Sequence, residues 1–197
     1  MRFATTVLSV LTFAMVLLAS PAWAGWELDN AGSTLTFVSV KAGDLGEVHR
    51  FDTLSGSISR QGAVEVVVDL ASVDTLIPIR DQRMRDILFE VTRFPTATLQ
   101  AAVDAGKLAA LLPGQTEAVS VMATLALKSQ TLPLTLDVLV ARLSETQILV
   151  ASRQPVIVNA GEAGLVDGVE QLREIAGLPS ISKAVPVSFV LVFRQNG

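Results

Sequence analysis

A single histidine, His49, stands between Val48 and Arg50, with Asp44, Glu47 and Asp52 close by in the chain. An imidazole among carboxylates could ligate a metal ion, or serve as the base of a serine, histidine and aspartate arrangement. Because there is one histidine, a multi-histidine metal site is excluded and any hydrolytic triad would have to use this residue. Asp69 and Asp74 could act as an acid–base pair, but nothing in their spacing selects that role. His49 reads more simply as a solvated strand residue. No catalytic residue, metal or cofactor is therefore assigned, and a non-enzymatic role is expected.

A second group of reactive side chains lies in the stretch 66–99. Arg80, Asp81, Arg83, Arg85 and Asp86 alternate there with Met84, Ile87, Leu88 and Phe89. Fixed charges beside an apolar surface suit the mouth of a pocket for a molecule with a polar head and an apolar tail. Asp81 precedes Arg85 by four residues, a favourable helical pair worth about 0.3 kcal/mol. Arg80 and Asp81 are expected to pair with each other or with Asp74 and so fix the turn from strand to helix. Met84, Ile87, Leu88 and Phe89 can serve both as core and as lining.

The elements that must position these groups are mostly short and alternating. Ser33 to Val40 puts Leu35 and Phe37 on one face, and Ala63 to Leu70 does the same with Val64, Val66, Val68 and Leu70. Ala118 to Lys128, a turn at Ser129-Gln130-Thr131 and Leu132 to Val140 form the best hairpin. Glu47 to Ser59, Thr96 to Asp104, Ile148 to Arg153, Pro155 to Asn159 and Ala184 to Phe193 are further strands. The last is apolar on both faces, so its outer side is either a dimer interface or covered by a helix.

Two helices are expected. Pro78 to Phe89 opens with a proline, and the second begins at Asp167, with Glu170 completing a capping box and Gly177 and Pro179 closing its end.

The first 24 residues stand apart from this pattern. Arg2, an apolar run from Val7 to Ala19 and the small residues of Pro21-Ala22-Trp23-Ala24 read as a signal peptide cleaved after Ala24. The rival reading is an uncleaved anchor, since Phe3 to Ala24 approaches the ~20 residues that span a bilayer. After cleavage no membrane span remains, and residues 25–197 form one domain. That domain has no cysteine, so its core alone must hold it in an oxidising compartment. Loss of Arg2 moves the formal charge from −4 to −5, and the scattered basic residues suggest no nucleic-acid surface.

About eight short antiparallel strands with two short helices make an all-β fold, and a closed barrel is favoured over a sandwich because closure removes exposed edges. With Trp26 the sole tryptophan after Ala24, no tyrosine and six phenylalanines, inward positions are filled by small residues. Composition leaves both an open lumen and a tightly packed one as readings.

The order of several short motifs resembles one known family. Trp26-Glu27-Leu28-Asp29 is followed by Ser33, Phe37 and Lys41, then by Phe51 and Gly56. Next come Val68-Asp69-Leu70, Ser72-Val73-Asp74-Thr75, Arg80-Asp81, Met84-Arg85 and Leu88-Phe89. Phe94-Pro95, the Leu125-to-Leu136 hairpin and Val185-Pro186-Val187-Ser188-Phe189 complete the series. Together they resemble the YceI-like family of bacterial periplasmic lipid- and polyisoprenoid-binding proteins. The resemblance implies an extended lipocalin-like barrel holding a long-chain isoprenoid or acyl lipid. Its implied lumen and mouth residues are Phe37, Lys41, Phe51, Arg80, Met84, Arg85, Ile87, Leu88 and Phe89. Gly25 and Trp26 are adjacent, so the G-x-W motif of true lipocalins is missing.

The chain departs from the family at Gly32, at the Ser129-Gln130-Thr131 turn and between Asn159 and Gly164, so its head-group recognition is expected to differ. Tail burial at ~0.8 kcal/mol per methylene would supply the affinity, with Arg80, Arg85 or Lys41 neutralising a phosphate or carboxylate. A protein–protein interaction or stress-response module without a bound lipid, including a homodimer, and a hydrolase or metal-dependent enzyme using His49 are the competing classes.

Overall fold

A computed structural model describes residues 25–195. The expected signal peptide, 1–24, lies outside the described residues. The strands are β1 (Trp26–Leu28), β2 (Thr34–Lys41), β3 (Leu45–Phe51), β4 (Leu54–Ile58), β5 (Ala63–Asp69) and β6 (Val73–Asp74). They continue as β7 (Thr96–Ala102), β8 (Thr116–Leu127), β9 (Gln130–Ser144), β10 (Gln147–Ser152), β11 (Val156–Asn159) and β12 (Ala184–Arg194). The helices are α1 (Pro78–Arg83), prolonged by a π-helical turn (Met84–Phe89), then α2 (Ala105–Ala110) and α3 (Val166–Ile175).

Eight antiparallel strands close a ring in the order β1, β4, β5, β7, β8, β9, β10 and β12, with β12 returning to β1. The expected all-β barrel is thus the observed fold. β2, β3 and β6 extend in series from β12 beyond the ring, and β11 pairs with β12 alongside β10. Strand side chains alternate between faces, so closure gives each strand an inward and an outward set. Val66 and Val68 of β5, Leu136 and Val138 of β9, and Leu191 and Phe193 of β12 are buried inward residues.

Local contacts explain where the strands break. The expected single strand from Glu47 to Ser59 is two, β3 and β4. At the corner the Asn30 side-chain amide donates to the Asp52 carbonyl at 3.0 Å and accepts the Leu54 N–H at 2.6 Å. The long hairpin is tighter than expected, because Leu127 pairs with Gln130 across a turn of Lys128 and Ser129 in which Lys128 is left-handed (φ 52°). The capping box also fails. Helix α3 starts one residue before Asp167, no side chain caps it, and Glu170 instead pairs with Arg173 and Lys183. Helix α2 went unrecognised; Asp104 caps it by accepting the N–H groups of Gly106 and Lys107. The outer face of β12 is covered at Val192 by the short 3-10 turn Asn30–Gly32, not by α3.

Gly56 lies opposite Val66 in the β4–β5 ladder, where an added Cβ would stand 2.3 Å from the Glu65 carbonyl oxygen. Gly46 in β3 is an open control, its nearest neighbour being a Val38 methyl at 4.0 Å. Gly56→Ala is expected to lower unfolding stability by ~2 kcal/mol or more, whereas Gly46→Ala should change it by under ~1 kcal/mol. Urea midpoints of the two variants measure this difference directly.

Candidate functional site

One end of the barrel encloses a cavity of about 380 Å³. Its walls are Leu35, Phe37, Ser39 and Lys41 of β2, Glu47, His49 and Phe51 of β3, Val68 of β5, Ala97 of β7, Leu125 and Leu127 of β8, and Val185 and Val187 of β12. Ile77, Ile79, Arg80, Arg83, Met84, Leu88 and Phe89 roof it from the α1 side, and Val169 and Leu172 from α3. Ile79 is 58% exposed and Ile77 43%, so the roof has an apolar rim open to solvent.

Carboxylates fix the roof segment locally. Asp69 accepts the Ala71 N–H at 2.9 Å as β5 ends, and Asp74 accepts the Leu76 N–H at 2.7 Å. Leu76 is left-handed (φ 62°), which turns the chain into Pro78 at the first helical turn. The buried Asp81 then reaches back to accept both the N–H of Thr75, at 2.8 Å, and its hydroxyl, at 2.5 Å. The π-helical turn sends Met84, Leu88 and Phe89 inward, and it ends at the left-handed Glu90, which Lys128 pairs from the hairpin turn.

Most polar groups lining the cavity lie on β2, β3 and α1, with Ser182 beside them in the lining. Glu47 bridges Lys41 Nζ at 2.9 Å and Arg80 Nη1 at 2.5 Å, and Arg80 Nη2 donates to the Thr75 carbonyl at 2.6 Å. His49 Nε2 and Ser39 Oγ share a hydrogen bond of 2.8 Å, while His49 Nδ1 and Arg80 Nε are buried without a partner. The His49 ring packs against Phe37 at 5.1 Å between centroids, and Phe37, Phe51 and Phe89 continue the aromatic row. Ser39 and His49 have the separation of a nucleophile and its base, but no carboxylate orients Nδ1, so the third member of a triad is missing. Among the described residues no three histidine or carboxylate side chains cluster as metal ligands.

Of the residues expected at the site, Phe37, Lys41, Phe51, Arg80, Met84, Leu88 and Phe89 line the cavity. Arg85 and Ile87 do not. Arg85 donates to the Ala71 carbonyl and to Gln82, outside the barrel, and Ile87 lies where the roof meets Gly168 of α3. The expected Asp81–Arg85 and Arg80–Asp81 pairs do not form, because each partner is engaged elsewhere. His49, expected in solvent, is only 4% exposed. Glu47, Ser39 and Arg83 were missed as lining residues. Two-residue alternation from Phe37 to Ser39 and from Phe51 to Glu47 carried the signal for the first two.

Burial pushes the His49 imidazole below its usual range, reinforced by Arg80 and Lys41 and opposed by Glu47 and Asp81. The Lys41 hydrogen bond, aided by Arg80 and resisted by burial, holds Glu47 below the ordinary carboxylate range. An unfolded histidine takes up a proton near pH ~6.5, whereas the folded ring resists it, so the folded state loses stability as pH falls from ~7 toward ~5. His49 is the sole histidine of the chain, so His49→Gln should flatten that loss while leaving the steeper carboxylate-driven loss below pH ~4. Urea midpoints at pH 7.5 and 5.5 test it, and equal declines in both proteins would contradict a ring held neutral.

Comparison with known proteins places this architecture. The chain matches the family model for the YceI-like domain over residues 26–193. It is similar to the solved polyisoprenoid binding domain from Saccharophagus degradans implicated in plant cell wall breakdown, with 41% identity and a TM-score of 0.86 over 88% of this chain and 99% of that one. It shares the fold of Burkholderia cenocepacia BcnA at 19% identity and TM-score 0.65, covering 84% of this chain and 98% of that one. The Campylobacter jejuni YCEI protein has the same fold at 13% identity and TM-score 0.54, covering 76% of this chain and 85% of that one. No match is found among curated proteins. With the match running from β1 to the end of β12, the chain belongs to the YceI-like domain family.

Proposed function

We propose that this protein binds an amphipathic polyisoprenoid or fatty-acyl lipid, with its tail in the barrel and its head at the cluster of Lys41, Glu47 and Arg80, and carries it in the bacterial periplasm without covalent chemistry. The observation that carries the reading is a cavity of about 380 Å³ whose lining is mainly apolar, with Lys41, Glu47 and Arg80 bonded into one charged cluster beside the roof. That volume falls within the usual ligand-pocket range of roughly 300–1,000 Å³. Lys41 and Arg80 outnumber Glu47 in the cluster, which favours an anionic head or one rich in acceptors. Each buried methylene adds ~0.8 kcal/mol, so about ten outweigh any single head-group contact. The similarity to a polyisoprenoid binding domain supports the same ligand class. The leader-like first 24 residues support export, with the domain beginning at Gly25.

The test is to purify the protein gently from a bacterial host and analyse an organic extract by mass spectrometry. A copurifying prenyl or acyl lipid near one per protein is expected. Lipid-free preparations that also fail to take up farnesol or oleate would overturn the proposal. Release by osmotic shock, with an intact mass beginning at Gly25, is expected for the exported form.

A further inference from the structure

The barrel contains a second, smaller chamber of about 120 Å³, and no residue lines both chambers. The inward positions of single strands pass from one chamber to the other in a two-residue step. On β12, Val187 faces the larger chamber and Phe189 the smaller; on β5, Val68 and Val66 divide in the same way. Cross-strand register locates the partition. Leu35, facing the larger chamber, pairs with Phe189, and on the opposite wall Leu125, facing the larger, pairs with Leu99, facing the smaller. Phe189 and Leu99 each pack against both groups of buried core residues, and Phe51 of β3 continues the same register by pairing with Leu35. Lys107 and Leu108 of α2, with Phe193, line the smaller chamber at its far end.

We propose that Phe189 is a stop that sets the length of the bound tail. The inference rests on the lipid-binding reading of the larger chamber. A tail entering under the roof runs down the larger chamber and meets the Phe189 ring. Carbons beyond that point must remain outside or displace the ring, and the space behind it is small. A dry cavity of ~150 Å³ admits a benzene, so the smaller chamber takes roughly five or six carbons, about one isoprene unit. Removing the ring joins the two chambers into one channel, and each further methylene buried there strengthens binding about fourfold.

The test compares wild type, Phe189→Ala and Phe189→Trp against two series of probes. These are saturated fatty acids from ten to twenty carbons, and the prenols geraniol, farnesol and geranylgeraniol. In wild type, affinity should rise with length and level off. Phe189→Ala should move that plateau about four to six carbons longer, and Phe189→Trp should shorten it. Thermal melts establish which variants fold, and either folded variant alone decides the direction of the shift. An unchanged plateau in a folded variant would overturn the stop while leaving lipid binding intact. Failure of wild type to bind either series would overturn the lipid-binding reading and the stop with it.

Discussion

Closure of the ring depends on a strand of three residues. β1 pairs with β4 through Trp26 and Glu27 and with β12 through Glu27 and Leu28, so it joins the otherwise free edge of β4 to the end of β12 that lies beyond its pairing with β2. The contacts around it are correspondingly dense. The guanidinium of Arg142 lies 4.7 Å over the Trp26 ring, Asp29 bonds Arg194 at 2.8 Å, and the Asp29 N–H donates to the Val192 carbonyl at 2.8 Å. Once the ring is shut, the period-two alternation of its strands assigns their inner and outer faces. At one end β2 and β3 extend past the ring, and α1 and α3 roof the gap. The larger cavity lies under that roof, and α2 lends Lys107 and Leu108 to the lining of the smaller one.

The polar cluster under that roof is costly, since a buried donor or acceptor left unpaired loses ~1–3 kcal/mol. Most of its members are compensated mutually. Glu47 satisfies Lys41 and Arg80, Arg80 ties the roof to the wall through Thr75, and Asp81 locks Thr75 in turn. The same bonds that would present charge to a head group thus hold the roof in place. What stays uncompensated, His49 Nδ1 and Arg80 Nε, sits beside the cavity and not in the packed core.

The inward faces of β5, β8, β9 and β12 were legible because a half-buried strand writes its partition into every second residue. Phe37, Phe51 and the Met84, Leu88 and Phe89 set were legible for the same reason, with the ordered motifs giving their context. What the chain did not disclose locally is contact across long separations. The break at Asp52 depends on Asn30, the fate of Arg80 on Glu47, and the burial of His49 on a neighbouring strand and a helix thirty residues away. A capping pattern such as Asp167 and Glu170 misled because Lys183, distant in sequence, joins Arg173 in competing for the same carboxylate. Residue types on one strand cannot show whether inward side chains meet at the axis, so the lumen itself appears only when opposite walls are brought together.

The divided lumen also makes the barrel a store of volume. Its chambers of about 380 Å³ and about 120 Å³ are bounded almost wholly by apolar side chains, and unfolding abolishes them. Hydrostatic pressure favours the state of smaller volume, so compression acts on this protein through the space it encloses. A tail that fills the larger chamber removes that leverage. An occupied barrel should accordingly withstand compression that an empty one does not, even where the two melt at similar temperatures.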